Sequence, residues 1–589
     1  MKPPAIIFGI DSKQISHFTN IELHQSINNH HKFQIYVPHS VVESPLAYTL
    51  ENAQAWLGKV LHLKLDEDNN FLGIVTNIEF EQEMGHMGNQ IILTGFSKTV
   101  LLESGKKLHS WESSSLKDIV GEVIQNGAGE QLQNDVNPEY TSKMDYQNQY
   151  LETDFQFIQR LAKQYNEWLY YDGEKLNFGK PKSFDDPVSL NYNSDISKLK
   201  ISVQTVPSKF SAFTYNETND KRFTAKSKDT VAGLPKLGNE AFAASKEVFA
   251  TPAFTHGLIS TGDDLVLESF LKKKQESAAA NTNYVTASTK NPKLRVGSIV
   301  NIQSSILENK AFIKQEVGSY LITEITHHAT HLGEYQNNFR AIPSKVLTLP
   351  EPDVAYPIAQ TQQAVVESNT DPENKGRVRV QMLWQQGTTM KTSWLRVMTP
   401  DAGSSDKVGT NRGMVFIPDV GDHVMLNFRY GDPNRPFILG SVFHGKSGGG
   451  GGENNNKRSF ATRGGTSLIL DEEKNTFTAT DPSGNIVQLN GDGTMTLFAP
   501  NKIELQSKEI TLTADEKITI GGESEVIIQS KKSSITGTDD MKILSDTQIS
   551  SEAPSINIKG KNTLLAEGKV VDIDGKTMTN VKGGIVNLN

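Results

Sequence analysis

Ile510-Thr-Leu-Thr-Ala-Asp-Glu-Lys-Ile-Thr-Ile520 carries two copies of the apolar–polar–apolar triplet that decides the fold of this chain. The triplet returns every seven or eight residues through the last hundred positions, and turn formers or charged residues fill the intervals. Each unit is therefore expected to be a very short strand with alternating faces, followed by a tight turn. A fixed repeat of this kind is typical of a stacked array rather than of a globular core.

The short period indicates that three chains share the array. A β-helix made by one chain needs several strands per coil, and so short a strand cannot bury its own face. Three copies can fill a common axis, with backbone pairing between chains that leaves few free edges. An ordinary β-meander is the alternative, but strands of three residues pair poorly. We therefore expect a homotrimer in which residues 493–589 form an intertwined β-helix. Its axis would be filled by Ile503, Leu505, Ile510, Leu512, Ile518, Ile520, Val526, Ile528, Ile556, Ile558, Val571 and Ile573.

Composition limits the classes of protein that this chain can belong to. A length of 589 residues predicts three or more domains, and a hydrophobic fraction of 36% with abundant Gly, Asn, Ser and Thr favours β-structure and turns. A net charge of −9 does not favour nucleic-acid binding. The chain has no cysteine, which excludes disulfides, thiol chemistry and cysteine-ligated metals.

The beginning of the chain has no long apolar segment or cleavage site of the secretory kind, and no run approaches 18 apolar residues. We therefore expect a chain made in the cytoplasm. If it acts outside the cell, something other than a signal peptide must export it.

The first 350 residues read as β-barrels with a small α+β insert. Strand patterns alternate with turns up to about residue 105, which indicates a barrel or sandwich. Helices are predicted from Leu116 to Gln125 and from Thr153 onward, within an insert near 106–180. A flexible, polar section is expected from Asn216 to Ser245, and a helix from Asp264 to Asn281.

The second part of the chain reads as a small barrel followed by a flexible joint. Residues 350–368 are predicted to cross between domains. Five short strands follow in about seventy residues, as in an OB-fold, at 376–384, 393–397, 413–417, 421–428 and 436–442. The OB-fold domain is placed at 351–446. A glycine run at 448–452 and two strands form a joint and β lead-in at 447–492.

Three motifs stand out: Gly431-Asp-Pro-Asn-Arg-Pro436, Asp154-Phe-Gln-Phe-Ile-Gln-Arg-Leu-Ala162 and Phe71-Leu-Gly-Ile-Val-Thr76. They resemble a Gly-Asp-Pro-x-Arg-Pro turn, an Asp-Phe-x-Phe-x-x-Arg-Leu-Ala helix and a Gly-x-Val-Thr strand of the VgrG family. That family comprises the trimeric spikes of type VI secretion systems and related contractile injection systems. The resemblance implies phage-hub-like barrels, an OB-fold neck and a β-helical needle. Whether the parent machine is a type VI system, an extracellular injection system or a phage tail stays open.

The resemblance also implies partners and a place of action. The hub would contact tail tube and baseplate proteins, and the assembled machine would stand in the cytoplasm until contraction drives the spike through the target envelope. A small tip protein with Pro-Ala-Ala-Arg (PAAR) repeats would cap the needle. Because the last repeat would present unpaired strand edges, the expected binding residues are Ile585, Val586, Asn587, Leu588 and Asn589.

No catalytic, cofactor or metal site is expected. His327, His328 and His331 form a histidine cluster without a metalloprotease pattern, so structural roles are the favoured interpretation. No histidine follows His444, whereas some related phage spikes bind iron at the needle tip. Carboxylates such as those at 539–540, 572 and 574 fit solvated charge better than a glycosidase pair. The alternatives to a spike are a trimeric adhesin and a cell-wall or polysaccharide hydrolase on a β-helical scaffold.

Overall fold

The computed structural model describes residues 6–15, 17–42, 49–82, 84, 89–259, 264–308 and 311–588. The chain divides into two compact units, Met1–Gly450 and Gly451–Asn589. The predicted fold class, mainly β with an α+β insert and an OB-type barrel, is confirmed.

A 13-stranded sheet organises the first unit. Its strands alternate between buried and more exposed residues, which is the pattern of a sheet with one face toward a core. The strands are β1 (Ile7–Ile10), β2 (Lys13–Ile15), β3 (Asn20–Ser26), β4 (Lys32–Pro38), β5 (Val60–Asp66), β6 (Asn69–Glu81), β7 (Gln90–Ser97), β13 (Val188–Asn191), β14 (Ile196–Val203), β18 (Asn283–Thr289), β19 (Ile299–Glu308), β20 (Ala311–Thr330) and β21 (Tyr335–Pro343). Their order is β14-β18-β21-β20-β3-β4-β7-β6-β5-β1-β2, with β19 pairing β20 and β13 pairing β19. A short helix α1 (Thr49–Gln54) precedes β5.

Two hydrophobic cores lie along this sheet. The first is built from β1 and β3–β7 together with the insert, and the second from β13, β14 and β18–β21. The long strand β20 contributes to both, because Ile322 and Ile325 lie in the second core and Ala329 lies in the first. β20 also pairs with β3 over seven residues, so the two cores share one hydrogen-bonded sheet.

The insert contains the two helices that the apolar spacing predicted. It comprises β8 (Lys107–Ser115), α2 (Leu116–Ala128), β9 (Gln133–Val136), β10 (Lys143–Glu152), α3 (Asp154–Tyr165), β11 (Leu169–Tyr171) and β12 (Lys175–Phe178). Ser115 caps α2 by accepting from the Asp118 N–H. Thr153 and Gln156 form a reciprocal capping box at the start of α3, which explains why that helix begins at Asp154.

The prediction of a flexible section from Asn216 to Ser245 is wrong. The chain there forms β16 (Lys221–Lys226) and α4 (Lys236–Val248), beside β15 (Phe210–Asn216), β17 (Ala253–His256) and α5 (Asp264–Ala279). α4 buries only a narrow face that includes Ala241 and Phe242. A face made mostly of small residues gives a weak hydrophobic signal, which is why polarity misled the prediction.

The barrel that follows begins earlier than the strand pattern predicted. Its sheet has the order β23-β22-β26-β27, formed by β22 (Gln362–Ser368), β23 (Arg379–Met382), β26 (His423–Phe428) and β27 (Pro436–Ser441). Residues 362–368 are therefore a barrel strand and not part of a crossing. The predicted strand at 393–397 makes only isolated bridges, from Leu395 to Val378 and from Val397 to Ile438. The predicted strand at 413–417 is replaced by a protruding hairpin of β24 (Ala402–Gly403) and β25 (Arg412–Gly413).

The second unit begins with a five-stranded antiparallel meander and continues into the repeat. The strands are β28 (Lys457–Ala461), β29 (Ser467–Asp471), β30 (Thr476–Thr480), β31 (Ile486–Leu489) and β32 (Met495–Phe498). Residues 501–588 contain neither helix nor paired strand. In the described part of the whole chain, no helix has the length and apolar character needed to cross a membrane.

Candidate functional site

The repeat at residues 501–588 has a regular backbone path. Bends recur at seven- or eight-residue spacing, at 508, 515–516, 523–524, 531–532, 538–539, 546–547, 554, 561–562, 569, 576–577 and 584–585. Each interval between bends holds one unit of the repeat, as the triplet Ile510-Thr-Leu512 does between 508 and 515. The bend spacing therefore equals the spacing of the triplets in the sequence.

The backbone of this segment has no partner in its own chain. Among the described residues 501–588, no N–H donates to a backbone carbonyl, and every residue is exposed. Buried backbone donors and acceptors in folded proteins are almost always paired, whereas these groups are exposed and open to a partner chain. Within the described residues, the segment pairs no backbone group and buries no apolar side chain in its own chain.

The twelve predicted axis residues fall into two classes of exposure. The first residue of each triplet is about half exposed, for example 50% for Ile518 and 51% for Val571. The second apolar residue is more exposed, at 69% for Ile520 and 76% for Ile573. None of the twelve belongs to a hydrophobic core within the chain.

A column of small residues marks the corner of each unit. At Gly522, Gly537, Gly560 and Gly575, an added Cβ would lie 2.4 to 2.8 Å from the carbonyl oxygen of the residue three positions later. The residue at the equivalent corner in the other units is glycine, alanine or serine, and Ser545 accepts there from the Gln548 N–H at 3.1 Å. The column stands two positions after the second apolar residue, a signal in the sequence that attention to the apolar triplets alone missed.

The predicted tip residues show the same alternation of exposure as the first and second apolar residues of the other units. Val586 is 47% exposed, like the first residue of other units, whereas Leu588 is 90% exposed and takes the second position. Ile585 lies in the bend at 584–585 and is 84% exposed. Asn587 is exposed between Val586 and Leu588, and Asn589 lies outside the described residues.

A turn of the barrel docks into the insert and fixes the barrel against the hub. The Asn148 N–H donates to Asn434 Oδ1 at 2.7 Å, and the Asn148 side chain donates to the Pro433 carbonyl. Arg435 is buried, pairs with Asp432 at 3.1 Å and donates to the Gly257 carbonyl. Burial lowers the pKa of Arg435 below its usual value, and Asp432 opposes that shift. The Gly-Asp-Pro-x-Arg-Pro motif is therefore a structural joint.

The Asp-Phe-x-Phe-x-x-Arg-Leu-Ala motif of α3 also has a structural role. Arg160 is fully buried in α3 and binds the Glu152 carboxylate at 2.6 and 2.8 Å. A further guanidinium bond goes to the Asn148 carbonyl, so Arg160 holds the strand that receives the barrel turn. Removing one partner of such a buried pair would leave the other charge buried without a partner.

The histidine cluster has a structural setting. His327 is buried in β20, where its Nδ1 lies 2.7 Å from the Tyr335 hydroxyl and its Nε2 lies 3.3 Å from Gln25 Oε1. His328 lies 3.9 Å from the Glu22 carboxylate, and His331 is near the Thr19 carbonyl. No group of three or more His, Asp or Glu with metal-site geometry occurs among the described residues. Asp539, Asp540, Asp572 and Asp574 are exposed.

Comparison with known families assigns both parts of the first unit. Residues 45–333 match the phage tail baseplate hub family, and residues 362–443 match the type VI secretion system/phage-baseplate injector OB domain. The fold and the docked turn thus define a baseplate hub joined to an injector barrel. Together these two families match most of the chain, which is similar to the VgrG type of spike proteins.

Individual relatives agree with this assignment. The type VI secretion system spike protein VgrG4b of Pseudomonas aeruginosa is 36% identical over 118 residues, which cover 19% of this chain and 14% of that protein. VgrG3 of Vibrio cholerae is 23% identical over 440 residues, covering 68% of this chain and 40% of that protein. The chain therefore matches less than half the length of these relatives.

A solved structure shares the fold. In the Francisella PdpA-VgrG complex, a chain aligns with a TM-score of 0.53 at 10% identity, covering 84% of this chain and 79% of that one. At so low an identity the likeness concerns the fold alone.

Proposed function

We propose that this chain is the spike of a contractile injection apparatus, of the type VI kind or a related extracellular kind. It would connect tail tube and baseplate to a tip protein and puncture the target envelope. The observation that carries the proposal is residues 501–588: a regular repeat whose backbone is unpaired and whose apolar side chains are exposed. Two further copies of the chain would supply both missing hydrogen bonds and apolar contacts.

The proposed trimer assigns a role to each part of the chain. Residues 1–350 would form the hub, 351–446 the neck, 447–492 the joint and lead-in, and 493–589 the needle. The twelve triplet residues would fill the axis, which makes the needle stiff because its strands pair between chains. Tail tube and baseplate proteins would contact the hub.

We also propose that the chain acts mechanically and is not an enzyme. The relatives compared above are named as spike proteins, and the motifs that distinguish this chain serve as caps, buried ion pairs and docking turns. A trimeric adhesin or a hydrolase on the same scaffold is the alternative function. No separate observation on the structure favours either one.

The tip and the route of delivery complete the proposal. A PAAR-type protein would bind the backbone edges near residues 585–589, where Ile585 and Leu588 are largely exposed. The spike would be assembled in the cytoplasm and delivered on contraction.

Light scattering on the full chain tests the proposal. A mass of three chains is expected at micromolar concentration, and a fragment beginning at residue 447 is expected to stay trimeric and resist heat and detergent. A compact, stable monomer of that fragment would exclude the needle. The same fragment assayed on peptidoglycan and on polysaccharide separates the hydrolase alternative, since turnover would contradict a purely mechanical role.

A further inference from the structure

A small three-stranded sheet of the hub has one face on a core and the other toward solvent. Its order is β16-β15-β17. Ala212 and Phe223 lie on the inner face and pack against α5. Because side chains alternate along a strand, the pairing register places a second set of residues on the opposite side, the outer face. The outer face carries Phe213, Tyr215, Arg222, Lys226, Phe254 and His256.

Four rings lie in mutual contact on the outer face and form an aromatic cluster. The rings of Phe254 and Phe213 stack with their centroids 5.5 Å apart, and Tyr430 of the barrel meets Phe213 edge-on at 6.3 Å. Tyr430 also stacks on His256, with centroids 4.4 Å apart and planes 13° apart. Phe254 and Tyr430 are nevertheless 58% and 57% exposed. The cluster is therefore an apolar surface that stays open to solvent within the chain.

The docked turn of the barrel holds Tyr430 in the aromatic cluster. Tyr430 has a φ of 58° and a ψ of 17°, a left-handed conformation that bulky residues rarely adopt. The same turn is anchored at Asn434, which accepts from the Asn148 N–H, and at Arg435, which donates to the Gly257 carbonyl. A ring fixed in this way loses little conformational entropy when a ligand covers it.

The outer face is also cationic. The guanidinium carbon of Arg222 lies 5.0 Å from the centroid of the Phe213 ring, and Arg222 and Lys226 are both exposed. In the described part of the chain neither cation forms an ion pair, and Asp220 at the neighbouring turn already accepts from the Tyr215 hydroxyl at 2.8 Å. Unpaired cations beside apolar rings are complementary to a ligand that combines carboxylates with aromatic or aliphatic groups.

One edge of the sheet is open for strand pairing. The N–H groups of Ala253 and Gly257 donate toward β15, so the N–H groups of Phe254 and His256 point to the free side of β17. The opposite edge strand, β16, carries three lysine or arginine residues, which discourage pairing with another strand. β17 carries none, and its residues 253–255 are exposed.

We propose that the outer face and the free edge of β17 bind an extended acidic segment of a partner protein. Its backbone pairs with β17, its aromatic or aliphatic side chains cover Phe254 and Tyr430, and its carboxylates reach Arg222 and Lys226. A glycan or a single-stranded nucleic acid has no peptide backbone to pair with the edge, which favours a peptide. The proposal goes beyond the mechanical function and does not depend on the trimer.

A random copolymer of glutamate and tyrosine is the probe, and its binding to the full chain is measured by biolayer interferometry. Phe254→Ala is expected to weaken binding about tenfold, because it removes the exposed end of the aromatic cluster. The double variant Arg222→Gln with Lys226→Gln is expected to weaken it by a similar factor at low salt, because it removes both unpaired cations.

Matched controls change equally exposed residues elsewhere in the hub. Leu332→Ala alters a side chain that is 75% exposed in the turn between β20 and β21. Lys198→Gln with Lys200→Gln removes two exposed charges from β14. Both controls are expected to keep the full affinity for the copolymer, and a loss equal to that of the test variants would overturn the site.

Two other polymers decide the class of ligand. Polyglutamate that binds as tightly as the copolymer would show attraction by charge alone, which overturns the role of the rings. An oligodeoxythymidylate that binds as tightly would show that the face recognises nucleic acid, which overturns the peptide. Weaker binding of both polymers supports the proposal.

Hydrogen exchange and thiol labelling test the edge and its exposure. Bound copolymer is expected to slow amide exchange at Phe254 and His256, and unchanged exchange would exclude strand pairing. Since the natural chain has no cysteine, Phe254→Cys is expected to react with a maleimide as fast as Leu332→Cys. A slow reaction in assembled protein would mean that another copy covers the face, which overturns the proposal. A monomeric chain that binds the copolymer would support this site while contradicting the proposed spike.

Discussion

At the scale of single residues, two buried imidazoles limit the acid tolerance of the hub. His31 is fully buried beside the rings of Phe71 and Tyr171. Burial, reinforced by neighbouring histidines, lowers the pKa of His31 to about 3, and burial lowers the pKa of His327 to about 3 as well. Both are therefore neutral in the folded protein at any physiological pH.

These histidines predict that the hub loses stability in mild acid. In the unfolded chain a histidine has a pKa near 6.5, so between that value and about 3 the unfolded state binds more protons. Stability is present above pH 6.5 and falls as the pH drops, by about 1.4 kcal/mol per pH unit for each histidine. Urea unfolding at pH 7, 6 and 5 measures the slope. His31→Leu is expected to reduce it, whereas exposed His62→Gln leaves it unchanged; equal slopes in all three proteins would contradict the assignment.

Two adjacent glycines give a second prediction at this scale. A Cβ on Gly522 would meet the Glu525 carbonyl oxygen at 2.5 Å, whereas a Cβ on Gly521 would meet nothing within 4 Å in the chain. Gly522→Leu is therefore expected to destabilise the needle by about 1–3 kcal/mol per chain, because only glycine, alanine or serine occupies this corner in the repeat and a larger side chain would force the backbone to shift. Gly521→Leu is the matched control. Thermal melts of the fragment from residue 447 compare the two, and a larger loss at Gly521 would show that the corner is misplaced.

At the scale of elements, the apolar periodicity of the sequence predicts only those helices and strands whose buried face carries a strong apolar pattern. The apolar stripes and capping residues of α2 and α3 were readable because long, strongly patterned faces pack on a core. α4 was missed because small residues form its buried face, and β22 was missed because a polar, proline-containing neighbourhood masked it. The triplets of the needle were readable, but the docking of Asn434 and Arg435 into the insert was not. That joint connects residues nearly three hundred positions apart, which no local pattern records.

The register of the needle predicts opposite effects at neighbouring positions. Ile518→Asp or Ile520→Asp would place three like charges together around the proposed axis, a far larger cost than any surface substitution. Trimers are expected to be lost in both variants, as measured by light scattering. Thr519→Asp changes a residue that would face outward and is expected to be tolerated. Equal tolerance at the three positions would show that the register is wrong.

At the scale of the whole molecule, binding at the tip can be tested separately from trimer formation. Deleting Gly584 to Asn589 removes the exposed edge at Val586 and Leu588 but leaves the preceding units. Binding of a PAAR-type protein is expected to fall by at least an order of magnitude, because the residues at 585–589 that are proposed to contact it are removed. Calorimetry measures the binding, with one tip protein per three chains expected for the intact needle. Unchanged affinity would place the site elsewhere.

The shared strand β20 has a consequence for how force passes through the hub. Its apolar residues anchor in both cores, and seven of its residues pair with β3 across the boundary between them. The two lobes therefore cannot tilt against each other without breaking a continuous ladder of hydrogen bonds. A force applied to the part of the hub around one core is therefore transmitted to the part around the other core through the paired strands, without bending at a hinge. In the proposed machine, the hub would therefore be stiff, and the force of contraction would reach the needle with little lost to deformation.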